Sequence, residues 1–262
     1  MFGEVTAAVA AGLVGLAVGW WASLAIRRVP REEPILRQWP RCHACDAYVA
    51  ARDLIPVYSW FALRGRSRCC GAPLGYGYLA LELGSGVLFA ALTMRLGVSV
   101  ELAAYLYLAA VCVPLFVIDV RDHRLPDALT LPSYVLLPAL LTVAAVSTGQ
   151  WWELLRAVLG GVVLFAAYYA LAVVAAGALG FGDVKLAGLL GLALGWAGWY
   201  AVIVGALLGF VYGGVFSLAL LAARKASSST KIAFGPFMML GALSALLIGD
   251  HVGAVIPLMA AR

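Results

Sequence analysis

Charged residues are scarce in this 262-residue sequence: Asp, Glu, Lys and Arg make up 12% of it, whereas 64% of the residues are hydrophobic. Soluble globular domains contain about 25% charged residues, so this composition excludes an ordinary soluble domain. Low-complexity tails and long polar linkers are also missing, apart from a short serine-rich loop at 227–230. What is present instead is a mean hydropathy of +0.98 and a series of apolar runs, which predict a multi-pass helical membrane protein.

Eight apolar segments are candidates for transmembrane helices. We expect them at 5–26, 78–96, 102–118, 128–146, 154–179, 184–194, 199–222 and 232–248. The predicted fold class is therefore all-α, a multi-pass membrane bundle of about eight helices with one sizeable cysteine-containing loop. Pro114, Pro138 and Pro236 fall within these segments and are expected to kink or break the helices there.

Basic residues predict the orientation of the chain in the membrane. Arg27, Arg28 and Arg31 follow the first apolar segment, whereas a secretory signal carries its positive charge before the apolar stretch. We therefore expect residues 1–26 to be a retained anchor with the N-terminus outside. Alternating the segments from there makes the loops at 27–75, 119–127, 180–183 and 224–231 cytosolic, and these loops and their edges hold 15 of the 18 basic residues. The net charge of +5 thus reflects orientation in a lipid bilayer, and we expect no nucleic-acid partner.

Four of the five cysteines cluster in the predicted cytosolic loop. They are Cys42 and Cys45, spaced as CxxC, and the adjacent pair Cys69 and Cys70. On a reducing face of the membrane such a cluster is typical of metal or thiol chemistry, and two cysteine knuckles can hold a tetrahedral zinc ion. The alternative is a set of thiols without a metal. Cys112 lies alone in an apolar run, where packing explains it.

The segment from Gly180 to Leu186 places a carboxylate and an ammonium, Asp183 and Lys185, where a membrane helix begins. Ionisable groups at that depth are costly, so the default hypothesis is a functional site. Gly180 and Gly182 would permit a tight turn and the close approach of another chain segment. The alternative is that Asp183 simply caps a helix that starts at Val184.

A second carboxylate, Asp119, lies at the end of the third predicted span, on the same predicted face of the membrane as Asp183. The helix dipole disfavours an anion at a helix C-terminus, so capping does not explain Asp119. The alternative is a solvated interfacial acid that is neutralised by Arg121. A convergence of Asp119 and Asp183 would instead form a two-carboxylate site.

Two carboxylates at a shared, partly dry site cannot both ionise freely, so one can act as general base on water while the other polarises a carbonyl. This is the chemistry of aspartic proteases, which needs no cofactor. The sequence has no nucleophilic-serine elbow, no catalytic Cys–His pattern and no HExxH motif. The alternative from another class is an ion- or proton-coupled transporter that uses Asp119, Asp183 and Lys185 as a relay. Acids at one membrane face, without a visible internal repeat, argue against it.

Several motifs together resemble the type IV prepilin peptidases, which are leader peptidases of the GxGD aspartic class. The resemblance covers nearly the whole chain and lies in the segments at 19–30, 53–66, 118–119, 125–132, 180–186 and 234–237. It implies that a bacterial inner-membrane enzyme cleaves the basic leader of type IV prepilins or type II secretion pseudopilins at the cytosolic face. It also implies that Asp119 and Asp183 are the catalytic pair, and that residues 76–262 form the peptidase core.

The resemblance assigns supporting positions as well. These are Gly180, Gly182, Lys185, Asp122, Asp127 and Glu82. Many members of the family also N-methylate the new N-terminus with S-adenosylmethionine, a role tied to the loop at 27–75. This chain departs from the family pattern there: Ser67 stands where the second CxxC begins, Ser23 replaces an Asn and Gly77 replaces an Arg. None of these departures involves the aspartates, so we expect peptidase activity and leave methyl transfer open.

Overall fold

The computed structural model describes residues 2–34, 39–174, 179–223 and 232–248. In this part of the chain there are nine α-helices and no β-strand beyond two isolated bridges. The helices are α1 (Phe2–Arg28), α2 (Tyr58–Ala62), α3 (Tyr76–Leu96), α4 (Leu102–Asp122), α5 (Asp127–Thr148), α6 (Trp151–Val174), α7 (Phe181–Ala197), α8 (Trp199–Ala222) and α9 (Gly235–Ile248).

Each of the eight predicted apolar segments overlaps one of these helices, which confirms the all-α, multi-pass membrane fold; residues 175–178 of the segment predicted at 154–179 lie outside the described residues. Six of them (α1, α3, α4, α5, α6 and α8) are long and apolar enough to cross a bilayer. α7 has 17 residues and is therefore about 26 Å long, slightly less than the hydrocarbon thickness of about 30 Å. The predicted basic positions Arg37, Arg224, Lys225, Lys231 and Arg262, and the serine-rich loop at 227–230, lie outside the described residues.

The prolines do not break the helices, contrary to part of the prediction. α4 continues through Pro114, and α5 continues through Pro138 as well as Pro132. Neighbouring helices and local adjustments can satisfy the backbone groups that a proline frees within a membrane helix. Pro236 lies in the first turn of α9, where a missing N–H costs no hydrogen bond.

The chain divides into two compact units, with α4 contributing to both. The first comprises residues 1–102 and 109–114. Its main packing is between α1 and α3, and the helices meet at glycine. A Cβ atom at Gly19 would lie 2.5 Å from Cα of Glu82, so only a residue without a side chain permits this approach. Glu82 is thereby fixed on the inner face of the unit, where its side chain is 8% exposed.

The second unit comprises residues 103–108 and 115–262 and is organised around α7. Nearly every residue of α7 from Val184 to Trp196 is buried, with Lys185 half-buried. α6 packs against α7 and α8 packs against α9. The Gly180–Lys185 segment forms the N-cap and the first turn of α7. The burial of α7 therefore fixes the position of Asp183 within the unit.

Candidate active site

Asp183 lies in the first turn of α7, but it is not the N-cap residue that the sequence suggested. The helix begins at Phe181 rather than Val184, and Gly180 is the N-cap residue. The backbone N–H of Gly180 donates a hydrogen bond of 3.2 Å to Oδ2 of Asp183. The predicted start of this helix, at residue 184, lies three residues too late. Glycine is a poor helix former in a helix interior, but the first turn of a helix tolerates it, so α7 begins before Gly182.

Asp119 lies in the last turn of α4 and is buried, with 4% of its surface exposed. Its Oδ2 atom has no hydrogen-bond partner among the described residues. Arg121 is exposed, and the described part of the chain contains no ion pair between Arg121 and Asp119. The alternative of a solvated, neutralised acid is therefore wrong for Asp119.

The second unit brings the two aspartates together. Asp119 and Asp183 interact electrostatically, although they belong to different helices. Burying a carboxylate is energetically costly unless each of its oxygen atoms accepts a hydrogen bond from another group or from water. Asp119 and Asp183 thus form a candidate two-carboxylate centre, in which Asp183 also accepts the hydrogen bond from the Gly180 N–H.

An ion pair stands beside this centre. Lys185, two residues after Asp183, binds Asp127 at the start of α5. The hydroxyl of Tyr134, also on α5, donates a 2.6 Å hydrogen bond to the Lys185 carbonyl oxygen. These contacts join α5 to the first turn of α7, whereas Asp122 is exposed at the end of α4. Lys185 and Asp127 thus support the position of Asp183 structurally.

No sequence pattern assigns a role to Tyr168, and Phe234 is identified only as part of the motif at 234–237. Tyr168 on α6 is 4% exposed and interacts electrostatically with Asp183. Its ring lies 6.3 Å from that of Phe234 and 5.8 Å from that of Phe210. An aromatic residue in an apolar helix is typical of core packing, so no sequence signal separated Tyr168 from its neighbours. The three rings pack against one another, and Tyr168 is the one that interacts with Asp183.

Two cysteine knuckles of similar backbone geometry are present in the first unit. In the first, the N–H of Cys42 bonds to Ala47 O at 2.8 Å, and the N–H of Asp46 bonds to Cys42 O at 3.0 Å. In the second, the N–H of Ser67 bonds to Ala72 O at 2.8 Å. Ser67 therefore occupies the position in the second knuckle that Cys42 occupies in the first.

The four sulfur atoms of the cluster nevertheless converge. The Sγ atoms of Cys42, Cys45, Cys69 and Cys70 all lie within 4.8 Å of one another. Those of Cys45 and Cys69 are 3.2 Å apart, and those of Cys42 and Cys70 are 3.7 Å apart. A hydrogen bond from the Ala44 backbone lowers the pKa of Cys42 to about 6, which favours the thiolate form that binds metals.

A cavity of about 240 Å³ opens next to this cluster, within the first unit. α1 contributes Trp20, Ser23 and Arg27 to its lining, and α3 contributes Tyr78 and Glu82. The remainder comes from the loop, including Cys42, His43, Cys69, Asp53, Arg68 and Trp60. Its lining is mainly apolar with a few charged side chains, which is typical of a site for a small organic ligand.

The buried carboxylate of this cavity holds a strained loop residue. Oε2 of Glu82 accepts a 2.6 Å hydrogen bond from the Val57 N–H. Val57 has φ +62, which is unfavourable for a β-branched side chain and persists where the surroundings impose it. Nearby, a hydrogen bond from the Arg68 guanidinium lowers the pKa of Asp53.

The buried acids are divided between the two units. Glu82 belongs to the first unit, whereas Asp119 and Asp183 belong to the second.

A multi-pass helical membrane protein with two interacting aspartates on separate helices defines a class, the membrane-embedded aspartic peptidases. Comparison with known sequences identifies the group within it. The bacterial peptidase A24 N-terminal domain matches residues 13–96, and the type IV leader peptidase family matches residues 106–218. The chain belongs to the type IV leader peptidase family.

Curated relatives cover most of this chain. A prepilin leader peptidase/N-methyltransferase of Stutzerimonas stutzeri is 33% identical over 218 residues, or 82% of this chain and 73% of the relative. Proteins of the same name from Pseudomonas putida and Aeromonas hydrophila are 30% and 35% identical; they cover 93% and 84% of this chain, and 91% and 76% of their own lengths. No solved structure matches the chain.

Proposed function

We propose that this protein is a prepilin leader peptidase in which Asp119 and Asp183 are the catalytic acids. Its substrates would be prepilins, as in the names of the relatives, or the type II secretion pseudopilins that the family resemblance also implies. The observation that carries the assignment is the buried, unpartnered Oδ2 of Asp119, together with the electrostatic interaction of Asp119 with Asp183.

The two acids would act on one water molecule. The ionised carboxylate takes a proton from water as the water oxygen attacks the scissile carbonyl carbon, and the protonated partner donates its proton to the carbonyl oxygen. The C–N bond of the resulting gem-diol then breaks. The first acid protonates the leaving nitrogen, and the second takes back a hydroxyl proton, so that the pair returns to its starting protonation state, ready for the next cycle. No metal or nucleophilic side chain takes part in these steps.

We place this reaction at the cytosolic face of the bacterial inner membrane, with the N-terminus outside. Arg121 and Arg124 follow Asp119, and Lys185 follows Asp183, so basic residues accompany both acids in sequence. The positive-inside rule assigns such ends of helices to the cytosol. Asp122 is exposed and would attract the basic residues of a leader, whereas Asp127 is already paired with Lys185.

Cleavage of a labelled prepilin by the detergent-purified protein tests the assignment. Asp119→Asn and Asp183→Asn should each lower the rate by about 10²–10⁴-fold, the range for loss of a general acid or base, with normal membrane insertion. Glu153→Gln, which neutralises an acid in the first turn of α6, is the matched control and should cleave normally. Full activity of Asp119→Asn would move the role to Asp122 or Asp127. Ion uptake without cleavage by the wild-type protein would instead support the transporter.

For the first unit we propose that the cavity binds S-adenosylmethionine, which supplies a methyl group when bound. The indole rings of Trp20 and Trp60 in its lining suit a sulfonium cation and an adenine ring, whereas the ring of Tyr78 already stacks with the Arg27 guanidinium, 4.8 Å away. Glu82 is the buried carboxylate that would hold the amine to be methylated. The names of the relatives include an N-methyltransferase activity but link it to no residue. The proposed binding of S-adenosylmethionine assigns that activity to the cavity of the first unit.

We also propose that Cys42, Cys45, Cys69 and Cys70 hold a structural zinc ion. The four sulfur atoms are already within 4.8 Å of one another, and four thiolates form the commonest closed zinc sites. The cysteines join two knuckles of a loop that is too small to have a core of its own. The ion would therefore stabilise the loop that lines the cavity and would take no part in proteolysis.

A further inference from the structure

The first residue of α9 lies directly against the Asp119 carboxylate. A Cβ atom at Gly235 would stand 2.6 Å from Oδ2 and 3.4 Å from Cγ of Asp119. Contacts shorter than 3.0 Å are essentially never seen for a real Cβ atom. Any residue other than glycine at this position would therefore displace either the carboxylate or the helix.

The start of α9 also offers a donor to a carboxylate that is otherwise poorly satisfied. The backbone N–H of Gly235 faces Asp119, and a helix N-terminus carries a partial positive charge. Pro236 has no N–H, and the N–H of Phe237 is already bonded to Phe234 O at 3.1 Å. Gly235 is thus the residue of this turn whose N–H is available to Asp119.

α9 has little freedom to withdraw from this contact because it is held against α8. A Cβ atom at Gly241 would lie 2.5 Å from both Gly205 O and Gly209 N, so the two backbones are in direct contact. A methyl group added at Gly235 would therefore be accommodated mainly by movement of the Asp119 side chain.

Leu125 links the same contact to the helix that carries the second acid. Its side chain lies 3.4 Å from the Cβ position of Gly235 and 3.1 Å from that of Gly182. Gly182 directly precedes Asp183 in α7. The first turns of α7 and α9 thus both contact the side chain of Leu125. This shared contact sets the distance between the two helix starts, and with it the spacing of the Asp119 and Asp183 carboxylates.

We infer that the N-terminus of α9 is a third component of the active site, with Gly235 as a positioning residue for Asp119 and Leu125 as the spacer between α7 and α9. This inference rests on the proposed catalytic role of Asp119. It adds α9 to the active site, although the two-acid mechanism uses no residue of that helix.

Steady-state cleavage of a prepilin peptide by the full-length Gly235→Ala variant tests the inference. Misplacing a reacting group by about 1 Å can lower a rate by about 100-fold, so kcat should fall by about that factor while KM stays within twofold. Gly214→Ala is the matched control, since a Cβ atom at Gly214 has nothing within 4 Å, and it should cleave like the wild type. A kcat within threefold of the wild type for Gly235→Ala would overturn the inference.

Leu125→Ala keeps the test decisive if Gly235→Ala does not fold. This variant removes the spacer without adding atoms near Asp119, and kcat should fall by about tenfold with unchanged KM. Thermal unfolding in detergent establishes that each assayed variant is folded. An unchanged kcat for folded Leu125→Ala would overturn the spacer role. Retention of full activity by Asp119→Asn would instead refute the catalytic assignment on which the inference rests.

Discussion

At the scale of single residues, the second cysteine knuckle shows how one substitution can be compensated nearby. Ser67 takes the backbone position of a ligand, and its Oγ lies 3.1 Å from Sγ of Cys70. Cys69, two residues later, nevertheless reaches within 3.2 Å of Cys45. Adjacent cysteines rarely both face one metal, but here the Sγ atoms of Cys69 and Cys70 both lie within the cluster. The departure from a regular CxxC spacing therefore leaves four thiols available.

The zinc assignment predicts that Cys69, and not Ser67, is the fourth ligand. Zinc measured by mass spectrometry in the purified protein should be about one per chain, as expected for a closed four-thiolate site. Cys69→Ser should lose most of this zinc, because three thiolates leave the site open. The double variant Ser67→Cys/Cys69→Ser restores a regular CxxC spacing and should regain it.

Cys112→Ser serves as the control, because this buried thiol lies outside the cluster. Its zinc content should equal that of the wild type. Full zinc occupancy in Cys69→Ser would contradict the assignment and would point to Ser67 or another group as the fourth ligand.

At the scale of helices, small residues decide which pairs pack closely. Gly191 and Gly195 on α7 face Gly160 and Ala157 on α6 at backbone contact distance. Such interfaces are favoured in membranes, where lipid offers no hydrophobic drive for helix association. Arg156, one of the few basic residues outside the predicted cytosolic loops, completes this pair. Its guanidinium donates to the carbonyl oxygens at the end of α7, at 2.8 Å to Gly195 and 2.6 Å to Trp196.

Gly191→Ala should destabilise the second unit. The added Cβ atom would lie 2.4 Å from Gly160 O, and since both partners are backbone atoms, the helices must separate. Overpacking of this kind costs about 1–3 kcal/mol, to be measured by thermal unfolding in detergent. Cleavage should also decline, because α7 carries Asp183.

Gly214→Ala on α8 again provides the comparison, since it adds the same methyl group in open space. It should unfold like the wild type. Equal stability of the Gly191→Ala and wild-type proteins would show that α6 and α7 do not depend on this contact.

At the scale of the whole molecule, the sequence predicted the elements and the chemistry better than the contacts between them. Apolar length is a local property, so all eight helices could be located from it. Two acidic residues at helix ends could likewise be recognised as energetically costly, which made a functional site the hypothesis for them. The approach of Gly235 to Asp119 depends on the packing of α9 on α8, which no local pattern encodes. The Cys69 geometry and the cavity at Glu82 also arise from tertiary packing.

The division into two units suggests that the two proposed activities are separable. The cavity with Glu82 lies in the first unit, and the aspartate pair lies in the second. Each unit also holds its own buried carboxylate: Glu82 is 8% exposed and Asp119 is 4% exposed. A substitution of one carboxylate should therefore leave the other reaction intact.

Glu82→Gln should abolish methyl incorporation from labelled S-adenosylmethionine while the rate of prepilin cleavage remains unchanged. The amide keeps the shape of the side chain and can still accept the Val57 hydrogen bond, but it can neither bind the substrate ammonium by charge nor accept the proton that the amine must lose before it attacks the methyl group. Asp183→Asn should show the converse: no cleavage, but normal methylation of a peptide supplied without its leader. Glu101→Gln, a glutamate of the first unit that does not line the cavity, should retain both activities. Loss of cleavage in a folded Glu82→Gln protein would contradict the separation, because the buried carboxylate of the first unit would then be needed for the chemistry of the second.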